Sequence, residues 1–575
     1  MAQSDFKSQR NLAIVMVVLA LSVLGWVIIG QQPGTTSRLA AYYPQATSIY
    51  AEIQTNPQRG RRLLAVLEDA LLSPAKPDTK NNKDTAVEPA GDIEKALVAH
   101  FAQTFEPQIS LGTWMPTDHG QMTDPRMDAL MALPLRKPQT LGNLLTQLDL
   151  PADAFATATL KNIPYAIHHE TQVALAVVHN VLLVANTVDT LIATIEQLPG
   201  NVMREGPDPR TSLLKRPATQ RYISLLPRGK DGFFIVDHAA LHRELKASRP
   251  SGGSPSETSG ATGSLLVRIL PVTVGAVHLD NNAPRVDLET FTPLVLKNLN
   301  NTRVIAPLRR LFNTAQPIHA PQMLPESTAF LIATTTADQV YDLLTSRVLS
   351  KNNLNQIHSA EKFLSMFNLK LREDVVGLMA GEVALAAPSA TEKNVIPTIL
   401  MAQTQDKVKT MTRVTNILGS GLIPVKRKSE QIQNIPVDTF SLPGKPLQLT
   451  TGNLGRMIAI STGANFTDLI TTTQHPEQSL AHQALIQELA KRTPPKQLMM
   501  IYSTMDTRDD TLRKQLNASH QAAAAARLTQ SGWLEGMAGA LWARRVSDKE
   551  DLLLGRLLLQ LKTPDSDATP PVAVR

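Results

Sequence analysis

The chain has 575 residues, of which 43% are hydrophobic, 19% charged and 4% aromatic, with a formal net charge of +7. This is enough apolar material for roughly two to four globular domains cored by Leu, Ile, Val, Ala and Met, and it excludes a wholly disordered chain. There is no cysteine, which excludes disulfides, thiol catalysis and thiolate-held zinc or iron–sulfur centres; the positive charge is dispersed, so nucleic acid is not an expected partner.

The first feature along the chain is Asn11–Gly30, twenty residues without a charge. At about 1.5 Å per residue this run spans roughly 30 Å as a helix, the thickness of a bilayer core. Lys7 and Arg10 precede it, and the next charge after it is Arg38, a bias that keeps the N-terminus cytoplasmic. The run is longer than a usual signal-peptide core and no small-x-small cleavage site follows it. The expected topology is therefore a single-pass cell-membrane protein with a cytoplasmic tail at 1–10, an anchor at 11–30, a tether at 31–42 and the remainder extracytoplasmic, in the periplasm. Segments 73–92 and 249–263 and the tail at 564–575 are rich in Pro, Gly, Ser and charge, and read as loops.

Blocks of the first half recur in order in the second. Tyr43-Pro44-Gln45-Ala46-Thr47 matches Leu324-Pro325-Glu326-Ser327-Thr328, each a turn entering a strand and followed by an amphipathic helix. Glu106–Thr113 matches Gly381–Pro388 as short alternating strands. Asn162-Ile163-Pro164 matches Asn434-Ile435-Pro436, and a hairpin follows in each half, its turn at His179-Asn180 or at Gly452-Asn453. Ser212-Leu213 and Ser479-Leu480 then open a helix, and Gly275-Ala276-Val277 and Gly539-Ala540-Leu541 begin strands of a final meander. Six matches in order imply an internal duplication. The expected fold class is α+β: an N-terminal transmembrane helix and then two related α+β domains with antiparallel sheets. Copy 1 spans 43–310 with loop insertions at 73–92 and 249–263, a connector lies at 311–322, and copy 2 spans 323–563.

The anchor, LPESTAFLIA, LREDVVGLMAGEVALAAP, the NIP tripeptide and the hairpin with its Ser-Leu helix together resemble a family of uncharacterised bacterial envelope proteins, a domain of unknown function frequent in cyanobacteria and their relatives. The resemblance covers roughly 40–560. It implies an exported, anchored α+β protein and supplies no activity. The first copy departs from the pattern, with AHFAQTFEPQISL in place of the charged turn and a long irregular stretch at 114–150.

The motifs of chemistry are weak. His238 and His242 lie four apart in VDHAALHRELK, with Asp237 and Glu244 near, so they share a helix face. The zincin pattern places Glu beside the first His, where this chain has Ala239 and Ala240. His168-His169 point to opposite faces of a strand. Serine with lysine three residues on occurs at Ser4, Ser73, Ser212 and Ser359, scattered and without accompanying elements. Glu68-Asp69 and Asp509-Asp510 read as solvated helix faces, and Thr511–Leu534 as a long helix of high propensity. No serine elbow, phosphate loop or dinucleotide fingerprint is present, so no nucleotide is expected. The reading assigns no catalytic, cofactor-binding or metal residue and no cofactor. It leans away from an enzyme and toward a binding or scaffolding component of the cell envelope, with the membrane and an envelope protein or lipid as partners. A carrier or sensor of an apolar ligand such as lipid is the alternative, and an envelope hydrolase without a recognisable motif the second.

Overall fold

The computed structural model describes residues 39–54, 92–114, 128–198, 229–241, 269–280, 285–295, 315–339, 370–379, 381–388, 398–403, 406–419, 425–441, 448–462, 466–504, 534–547 and 550–561, with isolated positions between them. The chain divides into two compact units. Met1–Gly253, Leu270–Thr292 and Leu561–Arg575 form the first, and Ser254–Ile269 and Pro293–Gln560 the second.

The first unit contains β1 (Ile49–Gln54), α1 (Asp92–Thr104), β2 (Gln108–Trp114), β3 (Asp128–Pro134), α2 (Leu141–Gln147), β4 (Phe155–Leu160), β5 (Ile163–His168), β6 (Ala174–Val178), β7 (Val181–Ala185), α3 (Val188–Gln197), β8 (Gly232–Asp237), β9 (Val272–Leu279) and most of β10 (Arg285–Leu294). Its sheet runs β10-β9-β8-β1-β2-β3-β7-β6-β5-β4, antiparallel throughout. The second unit contains β11 (Gln316–Pro317), α4 (Ala320–Met323), β12 (Thr328–Thr334), β13 (Val383–Pro388), β14 (Ile399–Gln403), α5 (Lys407–Gly419), β15 (Lys426–Ile432), β16 (Ile435–Ser441), β17 (Gln448–Leu454), β18 (Met457–Thr462), α6 (Phe466–Gln474), α7 (Ala484–Arg492), β19 (Lys496–Gln497), β20 (Met499–Thr504), β21 (Leu534–Ser547) and β22 (Glu550–Leu561). Its sheet runs β21-β20-β12-β13-β14-β18-β17-β16-β15, again antiparallel. From β9 to β4 and from β21 to β15 the order is the same, strand for strand.

Local chemistry explains the matched turns. Lys161 and Asn162 have φ of 49° and 63°, and Gln433 and Asn434 have 49° and 65°. Two successive positive φ values make a type I′ turn, whose twist suits an antiparallel hairpin and which Asn tolerates. Asn therefore closes each turn and Ile opens the next strand, pairing with Leu160 or Ile432. The Pro–Thr turns also agree: Thr47 Oγ1 donates to Pro44 O at 2.7 Å and Thr328 Oγ1 to Pro325 O at 2.6 Å. Leu213 N donates to Tyr43 O at 3.0 Å and Leu480 N to Leu324 O at 2.8 Å, which ties each Ser-Leu pair to its turn. Thr187 caps α3 by accepting from Thr190 N at 3.1 Å, and α3 buries Leu191 and Ile195, each worth roughly 2–3 kcal/mol.

Several expectations are corrected. The fold class is not α+β with an N-terminal transmembrane helix: among the described residues twenty-two antiparallel strands stand against seven α-helices. Segments read as irregular are strand; 114–150 contains β3, all seven residues of which are buried, besides α2. No described helix is long and apolar enough to cross a membrane, and Asn11–Gly30 lies outside the described residues. Gly452-Asn453 is no turn, since both lie in β17 opposite Ala459 and Ile458; the reversal is at Gly455-Arg456, between the paired Leu454 and Met457, with φ 67° at Gly455. The match of 106–113 to 381–388 is one residue out of register. Followed outward from the equivalent β7 and β18, the pairings set Ser110 against Ala384, and in a strand one residue is the difference between opposite faces.

The His179-Asn180 turn has φ of 50° and 65°, and neither ring nitrogen of His179 has a partner although both are shut from solvent. Burial holds this imidazole below its usual pKa, so the unfolded chain takes up the proton first and stability falls as pH drops below about 6.5. His179→Asn keeps a residue suited to positive φ and removes the orphaned ring. It is expected to raise stability by about 1 kcal/mol and to flatten the loss between roughly pH 7 and pH 5 in urea titrations. An unchanged pH slope would reject this account of the turn.

Candidate functional site

In an antiparallel sheet, residues directly opposite each other share a face. Ile501 of β20 faces Ile332 of β12, which faces Leu385 of β13, then Leu400 of β14 and Ile460 of β18. Five aliphatic side chains thus stand in one row across five strands of the second unit. Their neighbours on the opposite face, Leu331, Ala333, Ala384, Ala386, Met401 and Ala459, are buried. The row is not: Leu385 is 40% exposed, and the other four are half-buried. Thr451 extends the row beyond Ile460 and is buried, its hydroxyl 3.9 Å from Met411 Sδ of α5. Helix α5 therefore covers that end. In the first unit the equivalent row is Phe234, Ala51, Leu111, Met131 and Val184. Phe234, Ala51 and Val184 are half-buried like their counterparts, but Leu111 and Met131 are only 7% and 8% exposed, so the two units differ at the centre of the row.

A polar cluster distinguishes the first unit in turn. Tyr43 Oη lies 2.9 Å from Ser110 Oγ and 3.3 Å from Leu130 O; Tyr50 Oη donates to Glu52 Oε2 at 2.6 Å, and Gln108 Nε2 donates to Glu52 Oε1 at 2.9 Å. Burial, reinforced by Glu52, pushes the Tyr43 hydroxyl far above the usual phenol range. Burial lowers the Lys230 ammonium, against the pull of Glu52. The second unit has Leu324, Leu331, Ala333 and Ala384 at the positions of Tyr43, Tyr50, Glu52 and Ser110. Tyr43 and Tyr50 are each 1% exposed, so their part of the cluster braces a core.

His238 begins a helical segment directly after β8; its Nε2 lies 2.8 Å from Thr273 Oγ1, and Asp237 Oδ1 accepts from Ala240 N at 2.7 Å as an N-cap. Burial lowers the His238 pKa, opposed by Asp237. His242 and Glu244 lie outside the described residues, as do Ser4, Ser73, Ser212, Glu68-Asp69, Asp509-Asp510 and all of the helix expected at Thr511–Leu534 but its last residue, Leu534, which opens strand β21. His168 is buried beside Thr171 and edge-on to Phe155, while His169 is exposed, so the pair does split between faces. Ser359 is exposed. A shallow pocket of about 440 Å³ in the second unit is lined by Gln322, Met323, Thr473, Pro476, Ser479, Ala481 and His482. Ser479 Oγ is 3.5 Å from His482 Nδ1, but Ser479 is fully buried and held in a bridge to Pro325, an arrangement for turn closure and not for nucleophilic attack.

The aliphatic row escaped the sequence reading because its members come from five separate strands. The available signal was Leu385 between Ala384 and Ala386, a large side chain alternating with small ones. A family model described as protein of unknown function (DUF3352) matches residues 106–533, more than half of the chain. No curated protein and no solved structure matches.

Proposed function

The chain belongs to the DUF3352 family, which assigns it no activity, and from that premise we propose that it is a binding or scaffolding component of the cell envelope, held at the membrane by the apolar run Asn11–Gly30 and presenting the Leu385 row to an apolar partner surface. One observation supports this reading: at the centre of the row Leu385 is 40% exposed and Leu400 half-buried, where the first-unit counterparts Leu111 and Met131 are buried. Leu385 is exposed amid four half-buried aliphatic neighbours, a continuous apolar strip of the sort that recognition surfaces have and isolated surface leucines do not. Covering Leu385 is worth roughly 2 kcal/mol, about thirtyfold in affinity, and a charge in its place reverses the sign.

A photo-crosslinking residue at Leu400 of the full chain in intact cells should give one discrete adduct, and adding Leu385→Asp should reduce it by at least about tenfold. A diffuse pattern, or one indifferent to Leu385→Asp, rejects the reading. The row also favours a second occupant. If native mass spectrometry finds lipid on the wild type and none on Leu385→Asp, the face carries an apolar ligand and not a protein.

A further inference from the structure

The geometry points to β4 as a surface through which two copies of this chain associate, each adding β4 to β4 of the other in antiparallel register about Thr157. This is independent of the Leu385 row. Strand β4 reads FATATL and pairs, among the described strands, with β5 alone. Ala156, Thr157, Ala158 and Thr159 are all exposed, so neither face of the edge is covered. The two-residue turn makes Leu160 and Ile163 a hydrogen-bonded pair, as it does every second pair from there. The N–H and C=O groups of Thr157 and Thr159 consequently point away from β5 and are available to another strand.

An edge of this kind is normally blunted with charge or proline. The strand in the same position of the second unit, β15, is so blunted: it reads KRKSEQI, with Lys426, Arg427 and Lys428 exposed. Arg427 holds Asp438 with two bonds of 3.1 and 3.0 Å, and Lys428 pairs with Glu430. A strand approaching β15 has to desolvate these pairs. β4 carries no charge and no proline.

Self-association is favoured by the symmetry of the sequence about Thr157. A two-fold axis there sets Thr157 against Thr157, Ala156 against Ala158 and Phe155 against Thr159, with no large side chain opposing another. It also brings Asp153 of each copy to the end of the strand where the other has Lys161, and both are exposed. Such an isologous contact closes on itself as a dimer.

The absence of cysteine from the chain makes a direct test available. Opposed residues of a hydrogen-bonded antiparallel pair have Cα atoms about 5.5 Å apart, inside the roughly 4.4–6.8 Å that a disulfide spans. In the full chain in mild detergent, Thr157→Cys is expected to form a reducible covalent dimer under mild oxidation, at least about tenfold faster than Ser429→Cys at the equivalent place on β15. Cross-linking no faster than Ser429→Cys overturns the proposal. Thr157→Pro removes an N–H that points away from β5, a change edge strands accept, and should turn a sedimenting dimer into a monomer that keeps the wild-type circular dichroism spectrum and loses the concentration dependence of Tm. A wild-type chain that sediments as a monomer also overturns the proposal and leaves this edge to a strand from another protein.

Discussion

Tyr43→Ala is expected to destabilise the first unit by about 3–5 kcal/mol, the usual cost of emptying a buried aromatic site. Tyr43 is enclosed on every side. Its ring meets Tyr50 edge-on at 4.9 Å and Trp114 at 6.4 Å, and it lies over Gly112, where an added Cβ would come within 2.3 Å of Tyr43 Cδ1. The absence of a side chain at Gly112 is thus part of the ring's seat. Its hydroxyl is the only part with a polar role, so Tyr43→Phe should lose about 1 kcal/mol through the unpaired Ser110 hydroxyl. With Trp26, Trp533 and Trp542 replaced by Phe, Trp114 fluorescence in urea reports this unit alone. A loss under about 1 kcal/mol for Tyr43→Ala would mean that the ring is not held as described.

Glu382→Ala should cost the second unit about 2–4 kcal/mol. The Glu382 side chain is 1% exposed and accepts from His319 N at 2.8 and 2.9 Å, from Ala320 N at 2.7 Å and lies 3.2 Å from His319 Nδ1. It thereby satisfies the first main-chain donors of α4, which have no partner within the helix. Removing the carboxylate leaves those donors unpaired in a buried site, and that penalty exceeds the worth of the bonds themselves. Glu382→Gln retains one accepting oxygen and should lose about half as much. Hydrogen exchange distinguishes this from general loosening: the amides of His319 and Ala320 should become fast while those of the central strand β12 stay protected. Equal changes in both would refute the capping role.

How much was legible in the sequence follows from the range over which each feature is encoded. Asn162 and Asn434 close their turns because positive φ is a property of one or two residues, and the Thr47 and Thr328 turns because a hydroxyl reaches three residues back along its own chain. Such features recur wherever the local residues recur, and these are the matches that the structure places in equivalent positions. The match between β2 and β13 slipped by one residue because small and aliphatic side chains alternate in both and no turn pins them. Register there is set by β3 and β14 alongside. Gly452 misled for a related reason: glycine in a strand resembles a turn residue, and only the Phe466 ring, whose Cζ would lie 2.8 Å from an added Cβ, explains why glycine is needed at that point of β17. Strand β3 was read as irregular because an apolar run buried on both faces shows no alternation.

By itself the sequence determined the turns at Lys161-Asn162 and Gln433-Asn434, the Pro–Thr turns at Thr47 and Thr328 and the exclusion of thiol chemistry. These depend on residue identity within a few positions. The tertiary structure alone decided which strands adjoin, that Ile501, Ile332, Leu385, Leu400 and Ile460 fall in one row, that Leu385 is exposed while its first-unit counterpart Leu111 is buried, and that β4 rather than β15 carries the bare edge. Each of those depends on what packs against a strand from elsewhere in the chain, and a side chain's exposure is a property of its neighbours in space.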